Sequence, residues 1–351
     1  MRAVKALLRT AKFHILDRVG LLRPRKLRLA VTSRCNARCA MCNAWQSPLE
    51  RELSLDDYTQ LFNKSADFLS SIRHVSLTGG EPTLREDLVD IVRLTTERFP
   101  AASMNINTNG LLSDRVAVMT REMLAFRRQA MVIVSLDGIG DVHDKIRGVP
   151  GAFEKANCTI ELLLSLRKDL NARKLKVEVN YTATSANADQ YEQVLDYCSK
   201  RGIALNLIIP MSGVLYRSDV GQQVALGAEE MRRLASGLRR QQASSYNLKR
   251  AIILDLLEGR GRQFDCWAGR LLVFIDADGS VYPNSSCPAR FRMGSVLEDS
   301  YDLADIFRSR AASQVIQKAR SCRECQVACE TGTTLRLSEA FYAHRRQARR
   351  K

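Results

Sequence analysis

A chain of 351 residues and 39.4 kDa is long for one domain and short for three, so one large domain with a small appendage is expected. Hydrophobic residues at 45% and charged residues at 26% exclude a wholly disordered chain, and ten cysteines are too few for a disulfide scaffold but enough for two metal centres. The formal charge of +16 points to an anionic partner, yet residues 1–26 carry +7 of it and residues 341–351 another +5, so the body is nearly neutral. No run reaches the roughly 18 apolar residues of a membrane span. Arg9 and Lys12 interrupt the basic N-terminus before a signal-peptide core can form, so a cytoplasmic chain is expected.

Residues 1–26 open the chain. On a helical wheel Val4, Leu7, Leu8, Ala11, Ile15, Val19 and Leu22 gather on one side, opposite Arg2, Lys5, Arg9, Lys12 and Arg23. The leading reading is a helix packed on the barrel. The second is a helix on an anionic membrane surface, which would make the protein peripheral there. Nucleic acid is not expected, because no aromatic-rich basic groove accompanies the charge.

Strand-like runs follow at 27–32, 74–77, 103–107, 131–136, 176–182 and 204–209, separated by amphipathic stretches at 54–70, 86–98, 112–128, 152–169 and 188–201. Six consecutive βα units read as a parallel sheet with helices on its outer face. The fold class is α/β, a partial (β/α)6 barrel with a small C-terminal cysteine-rich extension. A helical connector is predicted at 227–257, then a hairpin turning at Asp278-Gly279, helical patterns at 301–319 and a cysteine-dense segment at 322–329. The expected divisions are residues 1–26, a core at 27–225, a connector at 226–265, an auxiliary domain at 266–335 and a basic tail at 336–351.

Chemistry in such sheets gathers at the C-terminal strand ends. Directly after the first strand, Cys35, Cys39 and Cys42 stand at C-x3-C-x2-C. Three thiolates on one loop can hold three irons of a cubane cluster and leave the fourth iron open, or form part of a zinc site with a distant fourth ligand. The next strand ends in Thr78-Gly79-Gly80-Glu81-Pro82, where glycines permit close backbone approach and a carboxylate can hold an ammonium. The third ends in Asn107-Thr108-Asn109-Gly110 and the fourth in Ser135-Leu136-Asp137-Gly138.

This order of motifs closely resembles the radical S-adenosylmethionine (radical SAM) enzymes, from about Leu27 to Pro210 and including His143-Asp144-Lys145-Ile146-Arg147-Gly148. The resemblance implies that Cys35, Cys39 and Cys42 hold a 4Fe-4S cluster whose open iron is chelated by S-adenosylmethionine. Gly79, Gly80 and Glu81 would then face its amino group, with Thr108 and Ser135 near its carboxylate or ribose. It also implies an external electron donor such as flavodoxin or ferredoxin, and a 5′-deoxyadenosyl radical that abstracts hydrogen from substrate. Met41 departs from the aromatic usual before the third cysteine, and a flexible thioether can still pack on adenine.

Cys266, Cys287, Cys322, Cys325 and Cys329 resemble the SPASM or twitch extension of these enzymes. The resemblance implies one auxiliary 4Fe-4S cluster, most simply on Cys266, Cys287, Cys322 and Cys325 with Cys329 in reserve; a four-thiolate zinc site is the other reading. Cys158 and Cys198 are expected in the core. His74 is expected to be packed, and Arg147 divides evenly between a structural ion pair and a pocket role. About 26 residues precede the barrel, too few for a peptide-recognition domain, which tilts the expectation toward a small-molecule, sugar or lipid-linked substrate. A peptide- or protein-modifying maturase is the alternative, and a non-catalytic iron–sulfur carrier is the other class.

Overall fold

A computed structural model describes residues 11, 13–46, 49–170, 174–210, 213–216, 224–244, 247–260 and 266–322. Six parallel strands come first: β1 (Lys26–Ala30), β2 (His74–Thr78), β3 (Ser103–Thr108), β4 (Ala130–Ser135), β5 (Leu175–Thr182) and β6 (Ala204–Ile208). They lie side by side in chain order, and the sheet does not close: β6 is an edge, while β1 pairs on its other side with β7 (Leu272–Ile275). The open parallel barrel expected from the βα pattern is present. Its extension is not a separate layer, because β7, β8 (Ser280–Tyr282) and β9 (Gly294–Ser295) continue the same sheet.

The connecting helices are α1 (Leu55–Lys64), α2 (Leu88–Arg98), α3 (Ser113–Phe126), α4 (Asp141–Arg147), α5 (Ala152–Asp169) and α6 (Tyr191–Lys200). Alternation along each strand decides which face meets them. Leu27, Leu29, Val75, Leu77, Val132, Val134, Val177 and Val179 are fully or nearly fully buried in one core with Ile91, Val92, Ile160 and Leu163 of the helices. Each such side chain contributes about 1.5–3 kcal/mol by leaving water. The opposite strand face carries Lys26, Arg28, Ser76, Asn105, Asn107 and Glu178, and it lines a cavity instead.

Beyond the sheet lie α7 (Ala228–Ser244), α8 (Leu248–Leu257), α9 (Leu303–Arg308) and α10 (Arg310–Ser321). The helical connector predicted at 227–257 consists of two helices, the second capped by Asn247, which accepts from the Lys249 and Arg250 amides. Ser54 and Asp57 form a capping box at α1, and Tyr301 of the extension donates to that same Asp57 at 2.5 Å. Ser65 at the other end of α1 accepts from the Leu303 amide and donates to the Tyr301 carbonyl, so both ends of α1 hold the extension.

The N-terminal helix departs from the wheel. Residues 13–18 are helical, and Phe13 packs on Trp267 and Leu271 while Asp17 pairs with Arg270 at 2.6 Å. Ile15 and Val19, assigned to the packing face, are 61% and 58% exposed. The helix does pack on the body, by a face rotated from the predicted one, with Phe13 in a cluster with Trp267 and Leu271 and His14 edge-on to Trp267 at 4.9 Å between ring centroids. No helix among the described residues is long and apolar enough to cross a membrane.

Candidate active site

The cysteine loop leaves β1 and is fixed before the first cysteine. Glu52 Oε1 accepts from the Ser33 amide, the Ser33 hydroxyl and the Thr32 hydroxyl at 2.6, 2.7 and 3.0 Å. Burial pushes the Glu52 carboxyl upward, but these bonds and nearby Arg34 outweigh it and hold it below the ordinary range. Gly79 and Gly80 run against the same loop. A Cβ on either would lie 2.2 Å from a backbone oxygen, that of Thr32 or Arg34. In the absence of side chains, the Gly80 and Glu81 amides donate to the Thr32 and Arg34 carbonyls, both at 2.8 Å. The two glycines therefore bring β2 and the cysteine loop into direct backbone contact.

The other side of the loop rests on α4. The Arg38 and Ala40 amides donate to the carbonyls of Arg147 and Ile146 at 2.8 and 2.9 Å. Arg147 is buried, pairs with the fully buried Asp137 at 2.7 Å, and stands 3.5 Å from the Cys39 sulfur. Burial disfavours its charge, yet Asp137 and Cys39 outweigh that and keep the guanidinium firmly cationic. Both readings of Arg147 hold at once: it is an ion-pair partner and it lines the cavity.

That cavity has a volume of about 550 Å³. Cys35, Cys39 and Cys42 line it, together with Gly79, Gly80, Thr108 and Ser135. Burial pushes the Cys35 thiol up to about 12, with Cys39, Glu81 and Cys42 adding to the effect. Such a thiol stays protonated until a metal binds the sulfur and displaces the proton to solvent, so without a metal it is a poor nucleophile. Three thiols on one loop, all lining one cavity, are the donor set that a cluster with one open iron takes.

Glu81 lines the cavity as well, and three of the four bonds it accepts fall on Oε1, leaving Oε2 with one. Its carboxylate accepts from the Thr83 amide and hydroxyl, the Thr108 hydroxyl at 2.9 Å and the Asn109 amide at 2.6 Å. It braces the ends of β2 and β3, and burial raises its pKa above the ordinary value. Asn109 also donates to Asn36 at 2.7 Å, tying the third strand end to the cysteine loop. Two lining residues escape a motif-based reading. Asn180 enters only through the register that sets it beside Ser135. Trp45, three residues beyond the third cysteine, has a buried indole N–H with no acceptor among the described residues. The position of one of only two tryptophans is the signal that could have found it.

In the extension, Cys266 and Cys287 are buried and Cys322 is half-buried. The Cys266 amide donates to the Arg320 carbonyl, and the Gly269 amide to that of Pro283, so the Cys266 segment bridges the approaches to Cys322 and Cys287. Cys325 and Cys329 lie outside the described residues. Asp278 accepts from the Ser280 amide at 2.8 Å, as turn chemistry requires. Cys198 is in the core as expected, whereas Cys158 is exposed: it lies on the outer side of α5, where Ala156 and Ile160 take the inward positions.

A family model for the radical SAM superfamily matches residues 29–217, more than half of the chain. The chain belongs to the radical SAM superfamily. A SPASM model, an iron-sulfur cluster-binding domain, matches residues 266–329, from the first to the last of the five C-terminal cysteines. The protein is thus a radical SAM enzyme with a SPASM extension, using 4Fe-4S clusters and S-adenosylmethionine. Among curated relatives it is 26% identical to the sporulation killing factor maturation protein SkfB of Bacillus subtilis, over 84% of this chain and 67% of that one. It is 30% identical to a probable GTP 3′,8-cyclase of Methanococcus maripaludis over 53% of this chain and 60% of the relative. In fold it is similar to Streptococcus suis SuiB bound to S-adenosylmethionine, with a TM-score of 0.62 at 16% identity over 89% of this chain and 75% of SuiB. It is similar too to anSMEcpe with bound AdoMet, with a TM-score of 0.61 at 16% identity over 92% and 98%.

Proposed function

We propose that this radical SAM enzyme modifies a peptide or protein substrate. The observation that carries the reading is the SkfB match, which spans 84% of the chain and so takes in the extension, whereas the GTP 3′,8-cyclase match covers 53%. SuiB has been described with its precursor peptide SuiA, in the fold this chain shares. The small-molecule, sugar or lipid-linked substrate expected from the short N-terminal lead therefore gives way to its alternative. A lead of that length says nothing about recognition elsewhere on the body.

When bound, the cluster and S-adenosylmethionine supply one-electron cleavage of the sulfonium and a radical able to abstract hydrogen, with the electron coming from an external donor. The chain's own residues fix where this happens. Cys35, Cys39 and Cys42 would hold the cluster on a loop clamped by Glu52, Gly80 and α4. Gly79, Gly80, Glu81, Thr108 and Ser135 would shape the cofactor's bed, with Glu81 also positioning Thr108. Met41, buried against Ile146 and Val224, offers an apolar edge to the same space. In the extension, Cys266, Cys287 and Cys322 with Cys325 or Cys329 would hold the auxiliary cluster.

The test uses the full chain, reconstituted anaerobically and supplied with S-adenosylmethionine and dithionite. Cell extract is divided at about 1 kDa, and 5′-deoxyadenosine is measured with each fraction. The expected result is stimulation by the larger fraction that protease treatment abolishes. Stimulation confined to the small, protease-resistant fraction would return the assignment to a small molecule. Replacing Cys35, Cys39 and Cys42 together by alanine should abolish 5′-deoxyadenosine in every arm.

A further inference from the structure

The N-terminal helix turns toward solvent the side that its sequence marks for packing. On the inward side Phe13 clusters with Trp267 and Leu271, Leu22 packs against that cluster just past the helix, and Asp17 pairs with Arg270. The chain turns at Gly20, whose φ is +68°. There the Gly20 amide donates to the Asp17 carbonyl at 3.2 Å and the Leu21 amide to that of Leu16 at 2.9 Å. Arg23 then donates to the Gly20 carbonyl at 3.2 Å and reaches Asp67 at 3.6 Å. The body thus fixes both the rotation of the helix and the path of the chain that leaves it.

That rotation decides what faces out. Successive helical residues lie about 100° apart, so with Phe13 and Asp17 inward, Ala11, Ile15, Arg18 and Val19 take the opposite side. All four are exposed, and Leu21, directly after the turn, is 60% exposed. The large hydrophobic side chains exposed among the described residues are Ile15, Val19, Leu21 and Val118. Single exposed aliphatics such as Val118 are ordinary, but three in one short segment call for a partner. The segment is also basic in sequence. Residues 1–18 hold Arg2, Lys5, Arg9, Lys12 and Arg18 against one acid, Asp17, which Arg270 already engages. Aliphatics beside cations match the two layers of an anionic lipid surface, the acyl boundary and the phosphate headgroups. The outward side has no aromatic anchor of the kind that protein interfaces centre on, among the described residues.

We infer that this outward side docks on an anionic membrane surface. Ile15, Val19 and Leu21 enter the boundary between headgroups and acyl chains, and Arg18 reaches back to lipid phosphate. The docking is independent of which substrate the enzyme modifies. It brings the active site close to the bilayer, because Phe13 on the inward side lines the cavity and a helix is only about 10 Å across.

The experiment floats the full chain, reconstituted anaerobically, with vesicles of phosphatidylglycerol or of phosphatidylcholine at low and high salt. Binding to phosphatidylglycerol is expected to be about tenfold or more tighter than to phosphatidylcholine and to weaken with salt. I15Q/V19Q/L21Q should weaken binding to phosphatidylglycerol by about tenfold or more. Iron content and melting temperature should stay as in wild type, because all three side chains are already exposed. V118Q, at a comparably exposed position on α3, should leave vesicle binding unchanged. I15Q and V19Q are also read singly, each expected to give part of the loss, so the inference is tested even where the triple variant misfolds. R18Q should reduce the preference for phosphatidylglycerol. Absence of binding to phosphatidylglycerol overturns the inference, as does binding indifferent to I15Q and V19Q. A lipid-free dimer that I15Q/V19Q/L21Q breaks apart also overturns it and gives the surface to a second copy of the chain.

Discussion

A methyl group on Gly80 would stand 2.2 Å from the Arg34 carbonyl, with no flexible side chain there to give way. G80A should therefore push the cysteine loop off β2, costing about 1–3 kcal/mol as overpacking does and lowering iron per chain after reconstitution. Wild-type iron content in G80A would refute this account of the glycines. Asp137 and Arg147 form a second fixed point. D137N leaves a buried guanidinium without its counter-charge and should cost about 3–5 kcal/mol in denaturant unfolding. A cost under about 1 kcal/mol would mean that α4 is held by other contacts. His74 gives a pH dependence with a definite sign. Folded protein takes up the His74 proton only below about 4, while the unfolded chain does so below its ordinary 6.5. Between these values the unfolded state binds more protons, so stability falls as pH drops from 6.5 toward 4. H74Q should make the melting temperature less steep across that window; an unchanged slope would show that the imidazole titrates normally.

At the scale of elements, the barrel strands were legible by alternation of a buried apolar face with a polar one, as in Leu175–Thr182, or as a short apolar run, as in Ala130–Ser135. Helix α4 was not, although its sequence was noted as a motif. It has seven residues between Gly140 and Gly148, both at positive φ, too short for a period of 3.6 to show. The N-terminal helix was legible in kind and misread in orientation. Summed periodicity cannot weigh the cluster of Phe13, Trp267 and Leu271 against Ile15 and Val19. In a W45F background, which leaves Trp267 as the sole indole, F13A should red-shift the emission while leaving global unfolding little changed. An unshifted spectrum would place the helix elsewhere. Of the candidate site, the thiolate spacing and strand-end groups were readable, and Glu81 does line the cavity; that it also braces the ends of β2 and β3 shows only in its bonds to Thr83, Thr108 and Asn109.

At the scale of the molecule, the extension and barrel share one sheet. Phe274 and Ile275 of β7 are buried beside β1, whose Arg28 and Leu29 they pair with. A chain cut after residue 260 would leave the β1 edge unpaired and should lose cooperative thermal unfolding, whereas a tethered module would come away cleanly. Circular dichroism melts of the two lengths decide between these. The sequence by itself determined what depends on near neighbours: the ligand spacing on one loop, the alternation that makes strands, the turn at Asp278-Gly279 and the family. Tertiary structure decided what depends on pairing between distant residues. It set β1 between β2 and β7, brought Ser285 to Arg28 across 257 positions, and made the inward half of each strand the wall of a cavity. The +16 charge is, by count, mostly at the chain ends, yet the cations that line the cavity include Lys26, Arg28 and Arg147, because pleat, register and packing select which side chains share a space.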